Sequence, residues 1–135
     1  MKTRTGFANP EYLITLTAVV VILALIVPPI ARERQRRRSL NALSSLRAAM
    51  ARYAAQTKTK GPLELSDLTR EGYLPEIPPA EVFGLHPRST LVSPLGRTDD
   101  SGGWTHSNWP GGRREGEIWI NCTHTDGRGA LWSAY

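Results

Sequence analysis

With a single cysteine, Cys122, in 135 residues, the chain closes no internal disulfide, and cysteine usage says nothing about its redox compartment. Acidic residues are scarce at the start: residues 1–60 hold eleven Lys/Arg against Glu11 and Glu33, whereas the remainder holds six against ten Asp/Glu. The overall charge of +5 therefore hides a basic stalk joined to an acidic head. That polarity suits many copies packing side by side better than it suits a nucleic-acid-binding globule. No His-x-x-x-His, no second cysteine, no Ser/His/Asp or Cys/His motif with a family pattern, no phosphate-binding Gly-rich loop and no paired carboxylates for acid/base work are present. These absences point away from an enzyme.

What the chain does have is an uncharged run, Tyr12 to Ile30, reading YLITLTAVVVILALIVPPI. At about 1.5 Å per residue it covers nearly the roughly 30 Å hydrocarbon core of a bilayer. Its two threonines can return their hydroxyl bonds to the preceding turn. A cleaved secretory signal would close on small residues, but here Pro28-Pro29-Ile30 leads straight into Arg32, Arg34, Arg36, Arg37 and Arg38. Ahead of the run, Asn9 suits a helix cap, Pro10 the first helical position, and Glu11 the positive end of the helix dipole.

These residues fall in a register that resembles the class III signal of type IV pilins and of the pseudopilins of type II secretion systems. A short basic leader ends in Gly6, Phe7 follows, Glu11 is the fifth residue counted from Phe7, and Pro28 lies twenty-one residues beyond it. The resemblance implies cleavage between Gly6 and Phe7 by a prepilin peptidase, methylation of the new Phe7 amine, and a helix-kinking role for Pro28. Glu11 would pair, during assembly, with the terminal amine of a neighbouring subunit, since a carboxylate among apolar helices needs a partner. The chain departs from the family pattern at Ala8-Asn9-Pro10. The positive-inside count, with Lys2 and Arg4 before the run and five arginines after it, by itself predicts a cytoplasmic C-terminal part.

Beyond the double proline, Leu40, Leu43, Leu46, Met50 and Tyr53 recur at helical spacing, so residues 31–57 read as an amphipathic helix continuing the membrane segment. A kink or local melting is expected at Pro28-Pro29. The apolar stripe is expected to pack on the head, and the Arg32–Arg38 cluster to form a solvated face. Nucleic acid is not an expected partner, because no aromatic residue is interleaved with these arginines.

In the head, Lys60-Gly61-Pro62 ends the stalk, Ser66 is expected to cap a turn over 67–71, and Gly72 to close it. Pro75, Pro78 and Pro79 predict an extended crossing. Residues 84–100 read mainly as loop with a short strand near 90–92; strands are expected at 103–106, 117–122 and 130–133, with Ile118, Ile120 and Cys122 on one face. The turns Trp109-Pro110-Gly111-Gly112 and Asp126-Gly127-Arg128-Gly129 join them into an antiparallel meander. Trp104, Trp119 and Trp132 are expected in the core or at subunit contacts. The fold class is therefore α+β: a long bent N-terminal helix on a small antiparallel sheet, divided into leader 1–6, helix 7–57 and head 58–135.

Two site readings accompany this. Cys122-Thr123-His124, with His106 on a nearby strand, has the residue types of a metal or nucleophile site, against which stands a buried thiol beside a surface histidine. Asp99, Asp100 and Asp126 could supply oxygen ligands, as the calcium-binding loops of major pseudopilins do by resemblance. The resemblance implies a filament subunit without catalytic activity, inserted once through the bacterial inner membrane with a head that is periplasmic, or extracellular after fibre assembly, and assembling with itself and with other pseudopilins or minor pilins. A pilin of an adhesion or DNA-uptake pilus, or a membrane-anchored binding domain with a polybasic segment, is the alternative.

Overall fold

The computed structural model describes residues 10–93, 96–108 and 114–135. Its main element is one helix, α1, Pro10–Thr57, followed by a short helix α2, Ser66–Arg70. Five short strands come next: β1 (Ala80–Val82), β2 (His86–Ser89), β3 (Val92–Ser93), β4 (Trp104–Ser107) and β5 (Glu117–Ile120), then a 3-10 turn over Trp132–Ala134. The chain divides into two compact units, Met1–Glu33 and Arg34–Tyr135.

The first unit is helix alone among its described residues. Pro10 occupies the start of α1 and Glu11 its first turn, where a carboxylate meets unpaired amides. Thr15 and Thr17 return their hydroxyls to the carbonyls of Glu11 and Leu13, so neither leaves a polar group exposed to an apolar surrounding. Helical structure continues through Pro28 and Pro29, and the local melting expected there does not occur. The prolines remove only two donors from a ladder intact on either side. The apolar side chains from Tyr12 to Ile30 are exposed, and this helix is long and apolar enough to cross a membrane.

The second unit is an α+β fold built on the rest of α1. Leu43, Leu46, Ala49 and Met50 are buried, with Leu40 and Tyr53 packed beside them, so the stripe covers the head as its spacing predicts. Facing it are Leu65 and Leu68 of the α2 region, Ala80 and Val82 of β1, and Trp104, Ile118, Ile120, Cys122 and Trp132. Buried Ser39 fixes the hairpin to the helix. Its hydroxyl donates to the Glu81 carbonyl (2.7 Å) and accepts the Glu81 amide (3.0 Å), acting as a strand partner for the middle of β1. The Trp104 indole donates to the Pro78 carbonyl at 2.8 Å, anchoring the extended proline segment.

Several expectations are corrected. Ser66 does not cap α2: the chain is already helical at Leu65, and the Asp67 carboxylate takes the Glu64 amide at 3.1 Å instead. Gly72 does close that turn, with φ of +79°. Residues 84–100 are mainly loop among those described, as expected, but they also hold an unexpected strand, β2. An antiparallel hairpin of β1 and β2 turns at Phe83-Gly84-Leu85, and β3 lies one or two residues beyond the strand expected there. The second sheet is not a meander, because β3 runs parallel to β4 while β4 and β5 are antiparallel. Residues 130–133 form no strand; a single bridge joins Thr125 to Leu131 before the 3-10 turn. Finally, β5 is buried on both faces, since Trp119 lies on the side opposite Ile118 and Ile120 and is still covered. Its indole donates to Thr98 at 2.8 Å, and the Arg114 guanidinium sits 3.8 Å from its ring centre. The expected turn at 109–112 lies outside the described residues, as do Gly6 and Phe7.

Candidate functional site

Three segments that are distant in sequence converge beyond the end of β5. The first residue of β2 supplies His86, the loop between β3 and β4 delivers Asp100, and the chain leaving β5 delivers Cys122 and His124. One ligand atom from each of the four lies within 4.8 Å of the others. His86 Nε2 is 3.1 Å from Asp100 Oδ1, His124 Nδ1 is 3.3 Å from the same oxygen, and Cys122 Sγ is 3.5 Å from His124 Nδ1.

The local backbone explains the convergence. Asp100 holds a φ of +63°, a left-handed conformation that turns its carboxylate back over the sheet end, and its Oδ1 accepts the Thr123 amide at 2.8 Å. That amide, opposed by partial burial and aided by His86, lowers the Asp100 pKa to about 2. A Cβ at Gly102 would sit 3.0 Å from the histidine Cβ, so the absence of a side chain there leaves room for His86. Burial pushes the Cys122 thiol up from its usual range, while its sulfur accepts the His124 amide at 3.4 Å. The cluster is graded from inside out: Cys122 is fully buried, the side chains of His86 and Asp100 are 13% and 31% exposed, and that of His124 is 45% exposed.

His106 does not join Cys122 and His124. In the antiparallel register it stands opposite Ile118, four residues before Cys122, which at about 3.4 Å per residue is too far for a shared ligand. It is buried, its pKa is lowered by that burial, and its Nε2 has no partner among the described residues. The missing members, His86 and Asp100, carry no spacing signal relative to Cys122.

The three aspartates serve different networks. Asp99 accepts from the Asn121 amide (2.6 Å), the Ser101 hydroxyl (2.7 Å) and the Ser93 hydroxyl (3.0 Å), donors that hold its pKa far below the usual range. Asp100 belongs to the His/Cys cluster. Asp126 is buried at the turn before the 3-10 segment: Arg36 Nε donates to its Oδ2 at 2.8 Å, the Tyr135 hydroxyl to the same oxygen at 2.5 Å, and the Arg128 and Ala130 amides to Oδ1. Burial opposes its charge, but these donors outweigh it and depress its pKa. Arg36 thus leaves the solvated cluster predicted for Arg32–Arg38; Arg32, Arg34, Arg37 and Arg38 are exposed. Glu11 is exposed in the first turn of α1, and Pro28 lies mid-helix.

Comparison with protein-family models, with curated proteins and with solved structures finds no match.

Proposed function

We propose that this chain is a structural subunit of a pilus-like fibre, a pseudopilin of a type II secretion system, with no catalytic role. The observation that carries the reading is the division of labour along α1. Its first half presents apolar side chains on every face, and its second half buries one stripe in a small α+β head. A helix apolar all round is stable where lipid or other helices surround it. The Gly6, Phe7, Glu11 and Pro28 register adds the processing and assembly expectations set out above. Membrane helices would bundle in the fibre core while heads form its surface, and subunits added at the base would move material outward with energy from a separate ATPase. Residence in the bacterial inner membrane before assembly, with a periplasmic head, belongs to the same proposal.

The test is the mass and N-terminal sequence of protein recovered from membranes with and without a co-expressed prepilin peptidase. The reading expects a mature chain starting at methylated Phe7. An intact Met1 in the presence of demonstrably active peptidase overturns it and favours an ordinary membrane anchor, whose five following arginines then argue for a cytoplasmic head.

A further inference from the structure

We propose that His86, Asp100, Cys122 and His124 form a four-coordinate site for a borderline-soft divalent transition metal, zinc being the ion their chemistry fits best. Two imidazole nitrogens, one carboxylate oxygen and one thiolate are all zinc ligands. With bonds of about 2.0–2.1 Å to N and O and about 2.3 Å to S, a tetrahedron has edges of about 3.3 Å between N and O and about 3.6 Å between N and S. Three of the six separations, 3.1, 3.3 and 3.5 Å, are close to those edges and the other three lie within 4.8 Å, so an ion enters with side-chain adjustment and no change of fold. Thiolate and carboxylate together balance the charge of the divalent ion, and the thiol proton leaves to solvent on binding.

The supporting groups are those a metal site requires. The Thr123 amide holds the Asp100 carboxylate, the His124 amide points at the Cys122 sulfur, and glycine at 102 leaves the His86 ring its room. Exposed His124 leaves a route for the ion, and buried Cys122 closes the inner side. Calcium is a poor fit, since it takes six to eight oxygens and this set offers one carboxylate. Four protein ligands leave no open position for a substrate, so the site is structural. Its effect is to tie the start of β2, the β3–β4 loop and the segment after β5 to one point, a staple that a small head with short strands can use.

The experiment uses the full chain in detergent micelles, stripped with a chelator and titrated with zinc and, separately, with cobalt. One zinc per chain is expected, with a raised unfolding temperature. Cobalt should give tetrahedral d–d bands and a sulfur-to-cobalt charge-transfer band. Cys122→Ser should abolish the charge-transfer band, and His124→Ala and Asp100→Asn should each weaken zinc at least about 100-fold, the upper end of what outer-shell changes cost. Because Cys122 is in the core and its serine variant can fail to fold, His124→Ala at the exposed rim provides an independent reading. Zinc affinity unchanged in His124→Ala, a cobalt spectrum without the sulfur band in the folded parent, or tight calcium binding with none of zinc each overturns the proposal.

Discussion

Replacing Asp126 tests how the stalk helix is held to the head. Its carboxylate takes four hydrogen bonds, two from backbone amides on Oδ1 and two, from Arg36 and Tyr135, on Oδ2. The Arg36 side chain is only 14% exposed. Asp126→Ala removes all four hydrogen bonds and leaves a mostly buried guanidinium without this counter-charge, a change that costs about 3–5 kcal/mol where a buried pair is broken. In Asp126→Asn the Oδ1 position still accepts both amides, and the new NH2 faces a tyrosine hydroxyl that can rotate to accept. Only the bond to Arg36 is lost outright, worth about 1.5–3 kcal/mol for a charged partner. The order alanine worse than asparagine worse than parent should appear in denaturant unfolding of the full chain in micelles, followed by far-ultraviolet circular dichroism. Arg36→Met combined with Asp126→Asn should be less damaging than the two single changes added together, because each single change already breaks the same bond. Additive losses, or an alanine variant within about 0.5 kcal/mol of the parent, would refute the claim that this carboxylate anchors α1.

Acid should destabilise the head. Asp99, Asp100 and Asp126 all have depressed folded-state pKa values, so their contribution is present above the unfolded aspartate value of about 3.9 and is lost as pH falls through the folded values, about 2 for Asp100 and lower for the other two. The unfolding midpoint should hold from pH 7 to about 5 and decline below about 4, more shallowly in Asp126→Asn; a flat midpoint down to pH 3 contradicts it. Gly103→Ala should destabilise by more than about 1–2 kcal/mol, because φ is +72° and the added Cβ would lie 2.3 Å from the Leu91 carbonyl oxygen. Gly127→Ala meets nothing within 4 Å and should be close to neutral, so equal thermal shifts in the pair would be the wrong result. Glu11→Gln, resting on the fibre reading, should leave head unfolding unchanged and abolish incorporation into fibres, scored by cross-linking in membranes.

Local pattern reveals α1, the Gly72 stop, the cores of β4 and β5 and the Asp126 turn, because each is written in spacing or turn chemistry over a few residues. The β1–β2 hairpin is hidden by its brevity and by Pro87 inside β2, tolerable on an edge strand and otherwise read as a breaker. Nothing local tells that β3 pairs parallel to β4. The segment Ala130–Ser133 is a short apolar run after a Gly-rich turn, as a strand would be, but Trp132 is drawn into the core and the chain tightens into a 3-10 turn around it. At the cluster, Cys122 and His124 are visible as a pair, whereas His86 and Asp100 are brought by a hairpin and a loop whose positions depend on the whole head. Asp126 reads as a ligand in sequence and is an anchor in the fold, because its partner Arg36 lies 90 residues away.

The buried stripe on α1 also sets an order of events in synthesis. Arg47 donates to the carbonyl of Ile118, 71 residues further along, and Leu43, Leu46 and Met50 share their core with Ile118, Ile120 and Trp132. While the chain is being made, the stripe emerges long before the strands that cover it. During that interval an apolar helix face waits without its cover, and non-local closure of this kind is slow. The head's core therefore closes only after the last strand and the 3-10 turn have been made, an order imposed by where in the chain its core residues are placed.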